Sequence, residues 1–256
     1  MFRPIPNLLL AGLLIAGLGA CVLDQTQAKP GYAAWTALVV AADDRADTGA
    51  YSAAFDNGRR DVAAALESLG FQPGHIVQAS TDPDLFPQES LIPAEDATVV
   101  AALQQTTPSA PDGCLAYLTS HGNPDGIVFG KEQWMSPAAL DHLLDRLCPA
   151  RPAVVVISAC YSGVFAVPPM AQPDRIVMTA ARPDRSSFGC GEDDVYTFFD
   201  GCVLQEIGQA RSWRDLYDRV AACVDAREKE LDLTPSGPQF FVGEAVRELA
   251  DRPFQR

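Results

Sequence analysis

Two short stretches carry side chains able to do covalent chemistry. Thr119-Ser120-His121-Gly122 follows the apolar run Cys114 to Leu118, and Ser158-Ala159-Cys160-Tyr161-Ser162-Gly163 follows the apolar run Ala153 to Ile157. Each run is too short for a helix and suits a strand buried on both faces. In open parallel sheets, reactive groups collect beyond the carboxyl ends of the strands, and sequential strands are often neighbours. His121 and Cys160 are therefore expected to face one another across one gap. A thiol beside an imidazole loses its proton and becomes a strong nucleophile, and the imidazolium then protonates the leaving group. Gly122 lets backbone approach a substrate, and its N–H with that of Cys160 can receive the negative charge of a tetrahedral intermediate. Taken singly, each residue reads as an inert core cysteine or a structural histidine; the weight lies in their joint occurrence at equivalent strand ends.

Other chemistries fit less well. The three histidines are His75, His121 and His142, with no close-spaced pair of ligands and His142 inside a helical pattern, so no metal or other cofactor is expected. Ser162 is not the nucleophile of a G-x-S-x-G elbow, because residue 160 is Cys. The first strand continues into Asp43-Asp44-Arg45 rather than a glycine-rich phosphate loop. With 19 Lys and Arg against 33 Asp and Glu, a formal charge of -14, no nucleic-acid partner is expected, since phosphate neutralisation needs clustered positive groups.

The elements that must position the two stretches alternate along the chain. Strands are read at Ala37 to Ala42, Ile76 to Gln78, Cys114 to Leu118, Ala153 to Ile157, Ile176 to Ala180 and Phe240 to Val242. Between them fall helical stripes at Asp56 to Leu69, closed by Gly70, and at Pro93 to Leu103. Ser136-Pro137 then caps a helix carrying Leu140, Leu143, Leu144 and Leu147, and a last long stripe runs from Trp213 to Leu231. Gly126 to Phe129 reads as a small hairpin arm. The alternation implies an α/β domain over residues 35–256, with helices on both faces of one mostly parallel sheet of about six strands. A hydrophobic content of 48 % is enough to fill such a core.

The amino terminus bears on location. Arg3 is the only charged side chain before an apolar run from Leu8 to Leu23, sixteen residues against the roughly 20 a membrane span needs, so the segment reads as an export signal. Leu18-Gly19-Ala20-Cys21 resembles the processing site of bacterial lipoproteins. That resemblance implies a signal peptide at 1–20, a lipid on Cys21, a tether at 21–34, and a domain anchored to the cell envelope on the periplasmic side of the outer membrane. An uncleaved anchor or a plain secretory peptide is the simpler reading. In an oxidising location the remaining cysteines matter. Setting aside Cys21 and Cys160 leaves Cys114, Cys148, Cys190, Cys202 and Cys223, an odd number, so at least one stays free or pairs between chains. Cys114 opens a strand and Cys148 ends the helix leading back to the next, which makes them the first choice for a bridge; Cys202 and Cys223 come second. Small apolar residues in a core would equally explain all five.

YLTSHG at 117–122 and VVISACYSG at 155–163 resemble the histidine and cysteine motifs of caspase-like cysteine peptidases. VMTAARPDRSSFGC at 177–190 narrows the resemblance to the legumain-like family, whose plant and animal members cleave after asparagine. The resemblance spans roughly residues 35–243. It implies a caspase-like three-layer α/β sandwich, a Cys160 and His121 dyad, an oxyanion contribution from Gly122, and a pocket for the side chain before the cleaved bond lined near Ser186 and Ser187. Legumains carry an acid directly after the catalytic Cys, where this chain has Tyr161. The pocket arginine of those enzymes has no secure match; Asn57 falls about where it would sit, with Arg59 and Arg60 nearby. The implied activity is endopeptidase action on a peptide or protein substrate. An acyl-transferase using the same dyad, or an inactive caspase-like scaffold, would carry the same residues. The selectivity turns on Glu192, Asp193 and Asp194: one acid turned inward beside an arginine favours asparagine, whereas three acids facing solvent leave the arginine to favour aspartate.

Overall fold

A computed structural model describes Met1, residues 31–131 and residues 133–255. The expected signal peptide, the lipid site at Cys21 and tether residues 21–30 lie outside the described residues. The last tether residues are packed: Tyr32 is buried, stacked on Phe71 with centroids 4.9 Å apart and edge-on to Trp35 and Trp213.

The sheet is built from β1 (Trp35–Ala41), β2 (Ile76–Ser80), β3 (Ile92–Pro93), β4 (Gly113–Thr119), then β8 (Ala153–Ser158), β9 (Arg175–Thr179) and β10 (Gln239–Val242). Between β4 and β8 the chain forms a separate three-stranded sheet, β5 (Gly122–Asn123), β6 (Gly126–Val128) and β7 (Trp134–Met135), which enlarges the expected hairpin arm. The main sheet runs β10-β9-β8-β4-β1-β2-β3, parallel throughout except for the antiparallel β10–β9 pair. It has seven strands rather than about six. The extra one is the two-residue β3, where proline tolerates an edge because no further strand needs its missing N–H.

Among the described residues six α-helices cover the sheet: α1 (Ala54–Ser68), α2 (Asp96–Thr106), α3 (Pro137–Leu147), α4 (Phe198–Ile207), α5 (Trp213–Glu230) and α6 (Arg247–Asp251). Because side chains alternate along a strand, β1 sends Ala37 and Val39 to one face and Leu38 and Val40 to the other. The first face packs against Val62 and Leu66 of α1, Phe199 and Val203 of α4, Leu216 and Val220 of α5 and Leu249 of α6. The second meets Val99 and Leu103 of α2 and the four leucines of α3. The result is a three-layer sandwich with a core on each side of the sheet. Ser136, Thr197 and Ser212 cap α3, α4 and α5, each side-chain oxygen accepting the N–H three residues on. Gly70, at φ +99, closes α1 in the left-handed region that favours glycine. α2 begins at Asp96 rather than Pro93, because Ile92 pairs with Ala79 and the Ala94 N–H donates to the Ser80 carbonyl at 2.9 Å, holding that stretch extended.

Candidate active site

β4 and β8 are paired in parallel register, Thr119 opposite Ser158. The pairing continues one residue further, where the Ser120 N–H donates to the Ser158 carbonyl at 3.0 Å. His121 and Cys160 each stand two residues beyond that Thr119–Ser158 pair, at the same level on adjacent strands. Gly122 closes the gap from below. A Cβ built on it would lie 2.2 Å from the Cys160 carbonyl oxygen and 3.2 Å from the Ala159 Cβ, so only a glycine fits.

Three contacts orient the His121 ring. Nε2 lies 2.7 Å from the Arg45 carbonyl oxygen, Phe55 meets the ring edge-on at 5.2 Å, and Nδ1 is 3.6 Å from Oδ1 of Asp47. A carbonyl can only accept, so Nε2 carries the hydrogen and the lone pair falls to Nδ1. The Arg45 carbonyl is itself placed by Asp43, whose Oδ1 accepts the N–H groups of Asp44 at 2.8 Å and Arg45 at 3.2 Å in a tight turn. Burial raises the Asp43 carboxyl above its ordinary pKa, opposed by the Asp44 N–H and by His121.

Cys160 is half-buried, and the Ser187 N–H donates to its Sγ at 3.2 Å. Tyr161 follows at φ +56, a left-handed kink that turns the chain off the strand axis. The Tyr161 N–H then donates to the Arg185 carbonyl at 2.7 Å, and Ser162 Oγ accepts the Ala181 N–H at 3.1 Å. Residues 181–187 are thus fastened against the cysteine turn. Beneath the pair sits Asp200 in the first turn of α4, fully buried, accepting from the Tyr117 hydroxyl and the Thr119 hydroxyl, each at 2.6 Å. Burial pushes the Asp200 carboxyl up despite those bonds.

The Peptidase C13 family model matches residues 93–229, or 137 of the 256 residues, a span that contains His121, Gly122, Cys160 and Ser187. The chain belongs to the Peptidase C13 family. Caspase-1 from Spodoptera frugiperda superposes on it with a TM-score of 0.58 at 16 % identity, covering 87 % of this chain and 89 % of that one. At that identity the likeness is one of fold, the caspase-like α/β sandwich. No curated protein sequence matches. Family and fold together make this C13 chain a cysteine-type peptidase of the caspase-like clan at the level of family.

Of the C13 chain's expected pocket residues, Tyr161 and Ser187 adjoin Cys160, and Ser186 is exposed beside them. Asn57 donates to the Val195 carbonyl at 3.0 Å, and Arg60 is paired with Asp61 at 2.9 Å and with Asn57 at 3.1 Å. Arg59 requires a correction. Its side chain is 0 % exposed, paired with Asp56 and Glu89 at 2.8 Å each and donating to Gln78 on β2 at 2.6 Å. It points along the sheet away from β8, so it lines no substrate pocket. The acid run also turns to local partners: Glu192 accepts from Thr48 at 2.6 Å, Asp194 accepts the Gly191 N–H at 2.8 Å, and Asp193 is exposed.

Cys114 is disulfide-bonded to Cys148 with Cα atoms 6.1 Å apart, and Cys202 to Cys223 at 5.7 Å. Among the described residues Cys160 and Cys190 are the free cysteines. The fold brings Cys190 to the site; it closes the stretch at 177–190 that carries the family resemblance, but no role is implied for it there. Its Sγ, a His121 ring nitrogen and an Asp47 carboxylate oxygen all lie within 4.8 Å of one another. Burial, then the charges of Asp47 and Cys160, push the Cys190 thiol up to about 12.

Proposed function

We propose that the protein is a cysteine endopeptidase in which Cys160 is the nucleophile and His121 the general base and then the general acid. The observation that carries the reading is the register of β4 and β8, which sets both residues two positions past the same pair with Gly122 packed on the Cys160 carbonyl. His121 Nδ1 takes the thiol proton, and the sulfur attacks the scissile carbonyl. The N–H groups of Gly122 and Cys160 receive the oxyanion. The imidazolium then protonates the departing amine, and water, activated by the same nitrogen, releases the acyl group from sulfur.

With Arg59 sealed in the core and Arg60 held by Asp61, neither arginine of the first helix is free to select an acidic residue. Ser186, Ser187 and Tyr161 supply hydroxyls, which both donate and accept. That chemistry suits an uncharged amide, and asparagine before the cleaved bond is the proposed preference. The leader adds a proposal of place, an envelope lipoprotein anchored through Cys21, which mass spectrometry of the mature amino terminus would test against a Cys21→Ser variant.

The decisive experiment digests a peptide library with the purified protein and its Cys160→Ala and His121→Ala variants. Either substitution is expected to lower turnover by roughly three or more powers of ten while thermal unfolding stays near the parent's. Unchanged turnover in Cys160→Ala would overturn the dyad, and a clear preference for lysine or arginine before the cut would overturn the pocket.

A further inference from the structure

The cluster of Asp47, His121 and Cys190 shares His121 with the proposed dyad, but the peptidase mechanism gives no role to Asp47 or Cys190. It joins a thiol, an imidazole and a carboxylate, the three side-chain types from which protein zinc sites are made. Their ligand atoms lie within 4.8 Å of one another. Tetrahedral zinc, with bonds of about 2.0–2.3 Å, needs its ligands about 3.3–3.8 Å apart, so contraction of roughly 1 Å closes the set. The means of contraction is present: Asp47 has an 87 % exposed side chain on the loop after β1, free to swing, while His121 and Cys190 are half-buried.

A second observation points the same way. Ligating histidines almost always donate their other ring N–H to a carbonyl or carboxylate, which fixes the tautomer and leaves a lone pair for the metal. His121 does this already, with Nε2 on the Arg45 carbonyl at 2.7 Å and Nδ1 directed at Asp47. Sequence spacing hid the set, since positions 47, 121 and 190 meet only after β1, β4 and the chain beyond β9 have come together.

We propose that the protein binds one zinc ion through Cys190 Sγ, His121 Nδ1 and the Asp47 carboxylate, with water completing the tetrahedron, and that the ion reversibly silences the peptidase. On binding, the Cys190 thiol forms its bond to zinc and releases its proton to solvent; nothing is oxidised or reduced. The silencing has a direct cause. The lone pair on Nδ1 that must take the Cys160 proton is the one the ion occupies. This second half rests on the dyad reading, whereas the binding half does not.

The test uses cobalt(II) as a spectroscopic stand-in on the reduced, purified protein, followed by displacement with zinc. One equivalent is expected, with tetrahedral d–d bands and a thiolate-to-cobalt charge-transfer band. Cys190→Ser should remove that band and weaken zinc binding by about 100-fold or more, Asp47→Ala should weaken it about tenfold, and Cys160→Ser should keep the band. In the peptide assay, zinc should inhibit and a chelator should restore turnover. Cys190→Ser should match the parent without metal and tolerate about 100-fold more zinc. Absence of stoichiometric binding overturns the proposal, as does a charge-transfer band that survives Cys190→Ser and vanishes in Cys160→Ser. If no variant or condition gives turnover, the peptidase reading falls while the cobalt titration still decides the site.

Discussion

Replacing Gly122 with alanine puts one methyl group between the two halves of the proposed dyad. The new Cβ would sit 2.2 Å from the Cys160 carbonyl oxygen and 3.3 Å from its carbon, where ordinary contact begins near 3.4 Å. Relief requires a displacement of roughly 1 Å, and the obstacle is backbone, which cannot swing aside as a side-chain tip can. The atoms that must yield belong to residues 121–122 and 159–160, the two strand ends bearing the reacting groups. A misplacement of about 1 Å costs about 100-fold in rate, or roughly 2.7 kcal/mol of transition-state stabilisation. The added methyl should also lower stability by about 1–3 kcal/mol. The assay is kcat/KM on a peptide substrate, paired with urea unfolding to separate the two effects. Gly74→Ala is the control, since a Cβ there meets nothing within 4 Å. Parental kcat/KM in Gly122→Ala would refute the argument that this glycine holds the proposed dyad together.

Asp43→Ala should lower kcat by about tenfold or more with little change in KM, because the turn that presents the Arg45 carbonyl to His121 loses its acceptor; Asp43→Asn should restore much of the loss, and the pH–rate profiles will report whether the histidine has shifted. Asp200 binds its proton more tightly folded than unfolded, so its contribution to stability is greatest at low pH and falls as pH rises from the unfolded value of 3.8 through the raised folded one. Asp200→Asn should flatten that part of the urea-midpoint profile, whereas Asp200→Leu should cost about 2–5 kcal/mol by stranding the Tyr117 and Thr119 hydroxyls. Opening the Cys114–Cys148 bridge, with its sequence separation of 34, should cost about 3.8 kcal/mol, and opening Cys202–Cys223, with a separation of 21, about 3.3 kcal/mol. Urea midpoints of the Cys→Ala variants will measure both. Turnover of the folded Cys148→Ala protein should match the parent, because Cys114 lies at the start of β4 and His121 beyond its end.

The central strands were legible because β1, β4, β8 and β9 are covered on both faces, which demands unbroken apolar runs. That sequential strands are often neighbours is what leads to the expectation of His121 and Cys160 across one gap, and β4 and β8 are adjacent. Pro93 misled because a proline before a helical stripe reads as a first-turn residue, whereas here pairing with β2 claims it for a strand. Arg59 was misread for a different reason. Asp56, Arg59, Ala63 and Leu66 follow the helical period onto one stripe, and all four are buried; the spacing that exposes Arg60 hides Arg59. Arg59 was named only for standing near Asn57, where the resemblance puts a pocket arginine; its place on the buried stripe makes it an internal ion pair instead. Asp43 and Asp47 carried no local pattern, and Cys190 only closed the stretch at 177–190, since the places these residues take depend on loops brought together from three parts of the chain.

The manner in which residues 181–187 are fastened has an evolutionary meaning. At Ala181, Arg185 and Ser187 main-chain N–H and C=O groups bind the segment to the cysteine turn, and only at Ser187 does one of the segment's own side chains join them, its hydroxyl lying 3.7 Å from Cys160 Sγ. The main-chain attachments are indifferent to which amino acid stands there, proline at 181 or 187 excepted. Positions 185, 186 and 187 can therefore be rewritten in nature or in a library while the segment keeps its place beside Cys160. A scaffold of this kind separates the problem of holding a substrate-facing segment still from the problem of choosing what it recognises. New selectivities on this chain are best sought at those three positions, leaving β4, β8 and the residues beneath them untouched.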